Sequence, residues 1–337
     1  MDTTLVFVSD SEPGITRQRR GRSWAYFDAD GNRITDRYEI ERLNGVALPP
    51  AYQNAWFCAC PDGHLLATGI DARGRKQYRY HPEYRAAREQ MKYETLAAFG
   101  RKLPLIRRRV QRDIATGGLT RDRAVASVIR LLDSGAVRIG NEAYAKANRS
   151  FGATTLRMRH VSVTGKALRL RFRAKSGKLR ELSLSDRNLI RFVRAMQDLP
   201  GQHLFRFLDE EGAPCPVGSS DVNAYLQETM GGSFTAKHFR TWKATVIAFE
   251  VLVSAREHVP IRELTNRVSE ELGNTPAIAR KSYIHPMLIE IASSRNGQEA
   301  LRRSVRLPRR TKTLSRYERA LLTLLERAQE PAGQLAA

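Results

Sequence analysis

The chain has 337 residues, enough for two domains rather than one. Apolar residues make up 42% and charged residues 27%, globular proportions that exclude a disordered tail, a collagen or a linker. The net charge is +22, so a folded core faces polyanions, and three cysteines exclude a disulfide scaffold.

Residues 1–87 read as a β-rich domain. Trp24-Ala25-Tyr26-Phe27 runs through the turn cluster Asp28 to Asn32 into Arg33-Ile34, which predicts a hairpin. Trp56 to Cys60, then Pro61-Asp62-Gly63-His64, then Leu65 to Ile70 predicts a second strand–turn–strand unit, with Cys58 and Cys60 at alternate positions of a strand. Residues 84–99, 104–115 and 120–134 are helical in texture, rich in Ala, Arg, Glu, Lys and Met, with Thr120 capping the third. A catalytic domain is expected over residues 88–312. Within it, strict alternation in residues 160–163, 168–173 and 182–184 around Thr164-Gly165-Lys166 and Ala174 to Lys178 predicts a three-stranded sheet with two tight turns. Residues 313–337 are expected to form a C-terminal helix and a frayed tail. The fold class is α+β: a small β-rich domain followed by a mainly helical one with a small sheet.

The charge is not spread evenly. Residues 157–194 hold 12 Lys/Arg against 2 Asp/Glu, and strand 168–173 sets Arg169, Arg171 and Arg173 opposite Leu168, Leu170 and Phe172. Such a single-signed surface points to nucleic acid, where each cation that replaces a condensed counterion adds affinity. No zinc site is expected from Cys58, Cys60 and Cys215, and Gly165-Lys166 and Gly177-Lys178 lack the Ser/Thr of a phosphate-cradling loop. With no apolar span of membrane length and no basic leader at Met1, a cytoplasmic, nucleoid-associated protein is expected.

Two stretches carry site chemistry. In Lys237 to Val246 the residues Phe239, Trp242, Val246 and Phe249 form an apolar stripe that holds Arg240 at its border, where a guanidinium fork can clamp a phosphate. In Leu272 to Pro286, Gly273 ends one helix, and Asn274 or Thr275 caps the next with Pro276 at its first position. Tyr283 follows two turns later, one of 11 tyrosines.

These stretches resemble the catalytic domain of type IB DNA topoisomerases of the small bacterial and poxvirus-like branch, over roughly residues 20–310. The likeness includes Arg138-Ile139-Gly140-Asn141-Glu142-Ala143-Tyr144, Gly152 to Arg157, the Lys175-Ser176-Gly177-Lys178 turn, Lys237-x-x-Arg240-Thr241 and Lys281-Ser282-Tyr283-Ile284-His285-Pro286. It implies an enzyme that relaxes supercoiled double-stranded DNA with no metal, nucleotide or other cofactor, as a monomer closing round the duplex. By the family pattern Tyr283 attacks a phosphodiester to leave a 3′-phosphotyrosine, Arg138, Arg240 and Asn274 contact the scissile phosphate, and Lys175 is the general acid. Lys178 on the same turn is the other candidate acid. Lys237 and Tyr144 are expected to contact DNA. Arg75 to His81 resembles the segment that touches base edges, with Gln77, Tyr78 and Tyr80 as its readers, alternating with Lys76, Arg79 and His81. Asn274 departs from the histidine of the poxvirus and eukaryotic enzymes, and an amide cannot be protonated; His285 is a possible substitute, or a helix-end residue before Pro286.

A tyrosine recombinase shares the Arg, Lys, Arg, Tyr logic. It would place His where Lys237 stands and would open with a helical clamp rather than strands. A non-catalytic basic DNA-binding protein would explain the charge but not the full residue set.

Overall fold

A computed structural model describes residues 5–197 and 199–329. The chain divides into two compact units, Met1–Lys92 and Tyr93–Ala337. The frayed tail expected after residue 329 lies outside the described residues.

In the first unit, strands β1 (Ile15–Arg20), β2 (Ser23–Phe27), β3 (Gln53–Phe57), β4 (Leu65–Ile70) and β5 (Lys76–Tyr80) form an antiparallel sheet in the order β2-β1-β3-β4-β5. Helix α1 (Arg37–Gly45), capped by Asp36, buries Leu43. Ile15, Tyr26, Leu43, Leu48, Phe57 and Ala67 make a small core, with the Tyr26 and Phe57 rings edge-to-face at 5.5 Å. Arg17 lies over Trp24 at 4.2 Å and donates to the Leu48 and Pro49 carbonyls at 2.8 and 2.6 Å.

Two sequence readings change here. The partner of Trp24–Phe27 is β1, a strand hidden by its charged Arg17, Arg19 and Arg20; Arg33 makes only a single bridge to Phe27. Cys58 and Cys60 stand in the turn after β3 rather than within a strand.

Helix α2 (Pro82–Asp113) is continuous where two helices were expected. Pro104 forfeits one hydrogen bond, to the carbonyl four residues back at Gly100.

The second unit is mainly helical. Its elements are α3 (Arg121–Gly135), α4 (Glu142–Asn148), β6 (Val161–Thr164), β7 (Ala167–Arg173), β8 (Leu179–Leu184), α5 (Arg187–Gln197), β9 (Arg206–Leu208), β10 (Pro214–Pro216), α6 (Ser219–Met230), α7 (Ala236–Ser254), α8 (Ile261–Leu272), α9 (Pro276–Ser282), α10 (Pro286–Ala292), α11 (Arg295–Ser304) and α12 (Arg316–Gln329). Strands β6, β7 and β8 form the expected antiparallel sheet. Leu168, Leu170 and Phe172 of β7 are buried and Arg169, Arg171 and Arg173 exposed. Helices α3 and α7 run through one apolar core with Phe99, Phe192, Phe205 and Leu321. Helix α12 is tied to that core by charge. Arg107 pairs with Asp133 and Glu318 at 2.8 Å each, and Trp242 of α7 donates to Glu318 at 3.0 Å.

Candidate active site

Helix α7 is the floor of the site. Phe239, Trp242, Val246 and Phe249 are buried as their spacing predicts. Arg240 is not at the border of that stripe but inside, only 4% exposed. Its guanidinium donates to the Ala136 carbonyl and, at 3.1 Å, to the Leu272 carbonyl, buried acceptors at the ends of α3 and α8. Its Nε is buried without a hydrogen-bond partner.

Tyr283 stands one residue past α9, where Pro276 opens the helix and Thr275 caps it by accepting from the Ile278 N–H at 3.3 Å. The Tyr283 N–H still donates to Ala279 at 3.1 Å, and its carbonyl shares the Thr245 hydroxyl proton with Thr241. Since Thr245 lies on α7, the tyrosine is pinned to the helix that carries Arg240. The Arg240 guanidinium carbon is 5.0 Å from the centre of the phenol ring.

The electrostatics follow from this packing. Burial, the largest influence, pushes the Tyr283 phenol up, but Arg240, Arg138 and Lys237 together outweigh it and the net displacement is downward. Burial and the neighbouring Arg138 bring Arg240 down to about 10, which leaves it charged at neutral pH. Arg138, Lys237, Arg240 and Tyr283 are therefore in electrostatic contact.

Arg138 is carried by a clamped loop. Ala136 ends α3 in the left-handed region at φ 49°. The Arg138 and Ile139 carbonyls accept from the Ala153 and Thr154 N–H groups, each at 2.8 Å, and the Thr154 hydroxyl adds a bond to Ile139 at 2.9 Å. Asn141 then caps α4 by accepting from the Tyr144 N–H at 2.8 Å. Glu142 pairs with Arg157 at 2.5 Å and with His203 at 3.2 Å, which holds the far side of the same loop. Tyr144 itself is half-buried, one turn into α4.

Lys175 and Lys178 flank the β7–β8 turn, where Ser176 and Gly177 are both left-handed at φ 66° and 72°. Both lysines are exposed. Lys178 places its ammonium on the Asn274 carbonyl at 3.4 Å. Asn274 follows the left-handed Gly273 that ends α8. Its backbone N–H is bonded to Ser269 at 3.1 Å, yet both polar atoms of its side-chain amide are buried without a partner. A buried amide in that condition costs about 1–3 kcal/mol unless a ligand satisfies it.

His285 stands at a helix end. Its Nδ1 accepts from the Met287 N–H at 3.2 Å as the cap of α10, and its ring packs edge-on against Tyr93 at 5.3 Å. In the first unit, Tyr78 and Tyr80 project from the same face of the edge strand β5, stacked at 6.0 Å and 47% and 38% exposed. Gln77 belongs to the other face, where its amide donates to Asp71 at 3.0 Å, while Lys76 lies 5.8 Å from the centre of the Tyr78 ring. Sequence reasoning missed Arg180 and the Glu142–Arg157–His203 cluster. Arg180 had a signal, being an arginine in phase with the inward Leu182 and Leu184 of β8. Among the described residues no group of three His, Cys, Asp or Glu could hold a metal, and no helix is long and apolar enough to cross a membrane.

The sequence profile of the eukaryotic DNA topoisomerase I catalytic core matches residues 81–301, and that of the bacterial DNA topoisomerase IB N-terminal domain matches residues 23–71. The DNA topoisomerase 1B of Acanthamoeba polyphaga mimivirus is 30% identical over 292 residues, covering 82% of this chain and 87% of the viral one. The DNA topoisomerase 1B of Vaccinia virus is 21% identical over 298 residues, covering 81% and 91%. A catalytic-core match over most of the second unit, an N-terminal match in the first and a relative aligned over most of both lengths leave no place for the recombinase or the non-catalytic alternative: the chain belongs to the type IB DNA topoisomerases.

Proposed function

We propose that the chain relaxes supercoiled duplex DNA by cutting and resealing one strand through Tyr283, without nucleotide or metal. The observation that carries this reading is the Tyr283 phenol held against the buried Arg240 guanidinium, with Arg138 and Lys237 close enough to lower its proton affinity. A phenol of reference pKa near 10 is a poor nucleophile; three cations bias it toward phenolate.

In the proposed reaction the Tyr283 oxygen attacks phosphorus and the bond to the 5′ oxygen breaks. Lys175 gives a proton to that leaving oxygen, while Arg138, Arg240 and the Asn274 amide neutralise or hydrogen-bond the non-bridging oxygens, each such contact being worth a few kcal/mol in the transition state. The partnerless Asn274 amide supports that role, since a phosphate oxygen would accept from its Nδ2. The phosphotyrosine conserves the bond energy, so the free 5′-hydroxyl end can rotate about the intact strand and attack back without ATP. The domain roles follow: residues 1–87 bind the duplex through the Tyr78–Tyr80 face of β5, 88–312 carry the chemistry, and the C-terminal segment from 313 supports α7. The enzyme acts as a monomer closing round the duplex, and Tyr144 and Lys237 contact the DNA backbone.

The test is a supercoiled plasmid incubated with the full chain in EDTA and without ATP. The expected result is a ladder of relaxed topoisomers, lost in Tyr283→Phe together with the covalent adduct while duplex affinity is unchanged. An adduct on the 5′ side, an adduct on another tyrosine, or an absolute need for magnesium overturns the reading.

A further inference from the structure

Strand β8 turns Arg180, Leu182 and Leu184 inward and leaves Leu179, Glu181 and Ser183 exposed. Leu182 packs on the last residue of α3: a Cβ at Gly135 would meet its Cδ1 at 3.2 Å. Arg180, in phase with these leucines, brings a guanidinium into the same layer. It donates to the Glu270 carbonyl at 3.2 Å, to the Glu271 carbonyl, and to the Gly135 carbonyl at 3.4 Å. These are last-turn acceptors at the negative ends of the α8 and α3 dipoles; the Glu270 carbonyl also accepts from the Gly273 N–H that caps α8, at 3.3 Å.

Arg240 takes the next carbonyl on each helix, Leu272 and Ala136. Two arginines from separate elements thus grip adjacent carbonyls of the same two helix ends. Two residues beyond each grip stands a phosphate ligand of the proposed reaction: Arg138 after Ala136, and Asn274 after Leu272. Arg180 also lies two residues past Lys178, whose ammonium fastens the Lys175 turn to the Asn274 carbonyl.

We propose that Arg180 is a positioning residue for strand cleavage: by bridging the carbonyl ends of α3 and α8 it sets the separation of Arg138 and Asn274, and it couples the Lys175 hairpin to both. The proposal rests on the phosphate-contact reading of the preceding section. Arg180 is half-buried and its terminal nitrogens donate to helix-end carbonyls; as a positioning residue rather than a phosphate ligand it is expected to leave duplex affinity unchanged. Arginine is required because a planar fork spans acceptors on two helices, whereas a lysine ammonium is a single point.

The experiment compares wild type, Asn274→Ala, Arg180→Ala and Arg180→Lys in single-turnover cleavage at saturating enzyme. Two duplexes are used, one with an ordinary scissile phosphodiester and one with a methylphosphonate, in which a charged non-bridging oxygen becomes a methyl group. On the phosphodiester, Arg180→Ala is expected to be about 10²-fold slow, the usual penalty for an ångström of misplacement. Arg180→Lys should recover less than about threefold of that, and duplex Kd should stay at the wild-type value. On the methylphosphonate the loss should shrink to a few-fold, because the charge whose neutralisation depends on placement is gone. Loosening of the fold would slow both substrates alike, so equal losses, or a wild-type rate, overturn the proposal. If Asn274→Ala shows the selective loss and Arg180→Ala does not, only the positioning role falls; if Asn274→Ala shows none, the phosphate-contact reading falls and this proposal with it. Should Arg180→Ala lose its fold, Arg180→Lys carries the same comparison.

Discussion

Gly152→Ala isolates the loop that carries Arg138. The backbone at Gly152 is extended, with φ −139° and ψ −177°, a conformation open to alanine, so any effect is steric. An added Cβ would stand 2.6 Å from the Arg138 carbonyl oxygen, 2.6 Å from the Gly140 nitrogen and 2.7 Å from the Gly140 Cα. All three are backbone atoms and none can swing aside as a side chain would. Restoring an ordinary contact of roughly 3.4 Å requires the two strands of the loop to part by about 0.8 Å. The two 2.8 Å bonds that clamp the loop, from Ala153 to Arg138 and from Thr154 to Ile139, would then stretch to about 3.6 Å, past the hydrogen-bond range.

Overpacking of that kind costs about 1–3 kcal/mol of stability. Shifting the Arg138 guanidinium by a similar distance should slow single-turnover cleavage by roughly 30- to 100-fold. The assays are thermal melting and cleavage of a duplex at saturating enzyme. Gly165→Ala is the control: its φ of 57° makes alanine cost about 1 kcal/mol, but its Cβ enters open space and its rate should be that of wild type. A Gly152→Ala enzyme that melts lower yet cleaves within threefold of wild type would refute the reasoning, because the clamp would then not decide where Arg138 sits.

Lys175→Ala should slow cleavage of an ordinary phosphodiester by about 10²-fold or more and be largely rescued when the 5′-bridging oxygen is sulfur, a leaving group that needs no proton. Selective rescue of Lys178→Ala instead would move the acid to the other side of the turn. Glu318→Gln should lower stability by about 2–4 kcal/mol at pH 7, since it leaves buried Arg107 short of a charge partner. Burial raises the Glu318 carboxyl, but Arg107, Ser315 and Trp242 outweigh it and hold it below its ordinary 4.5. The wild-type advantage is therefore complete above about pH 4.5 and is lost as pH falls below that; a melting difference that is flat from pH 7 to pH 3 would refute the ion-pair assignment.

Much of this was legible in the sequence because period and turn chemistry agreed. The β6–β8 sheet shows in strict alternation, its turns in Gly165 and Gly177, and the α8–α9 junction in the Gly273, Thr275, Pro276 succession. The rest was hidden where tertiary context overrides local texture. Strand β1 reads as charged because Arg17 spends its guanidinium on the carbonyls of Leu48 and Pro49 and its stem on Trp24. Helix α2 reads as two because of Pro104. Arg240 reads as a border residue because helical spacing reports direction and not depth. Its burial depends on two helix ends, 104 and 32 residues away along the chain, that supply the carbonyls.

Those carbonyls explain why the site holds its charges before any DNA arrives. An arginine buried against a carboxylate would be neutralised and would have little attraction left for phosphate. Arg240 is instead solvated by backbone dipoles, which lower the cost of burial without cancelling the charge. Burial, and after it Arg138, brings Arg240 down to about 10, so it stays charged at neutral pH. The Asn274 amide, buried and unbonded, belongs to the same state. In the proposed reaction a dianionic phosphorane would meet the buried Arg240 guanidinium and Asn274 amide already in place, so little reorganisation of those two groups would remain to be done in the transition state. The same uncancelled charge draws the Tyr283 proton affinity down against its own burial. On the proposed mechanism one electrostatic arrangement would serve nucleophile and phosphate together, and it would depend on the helix-end carbonyls to which Arg180 and Arg240 donate.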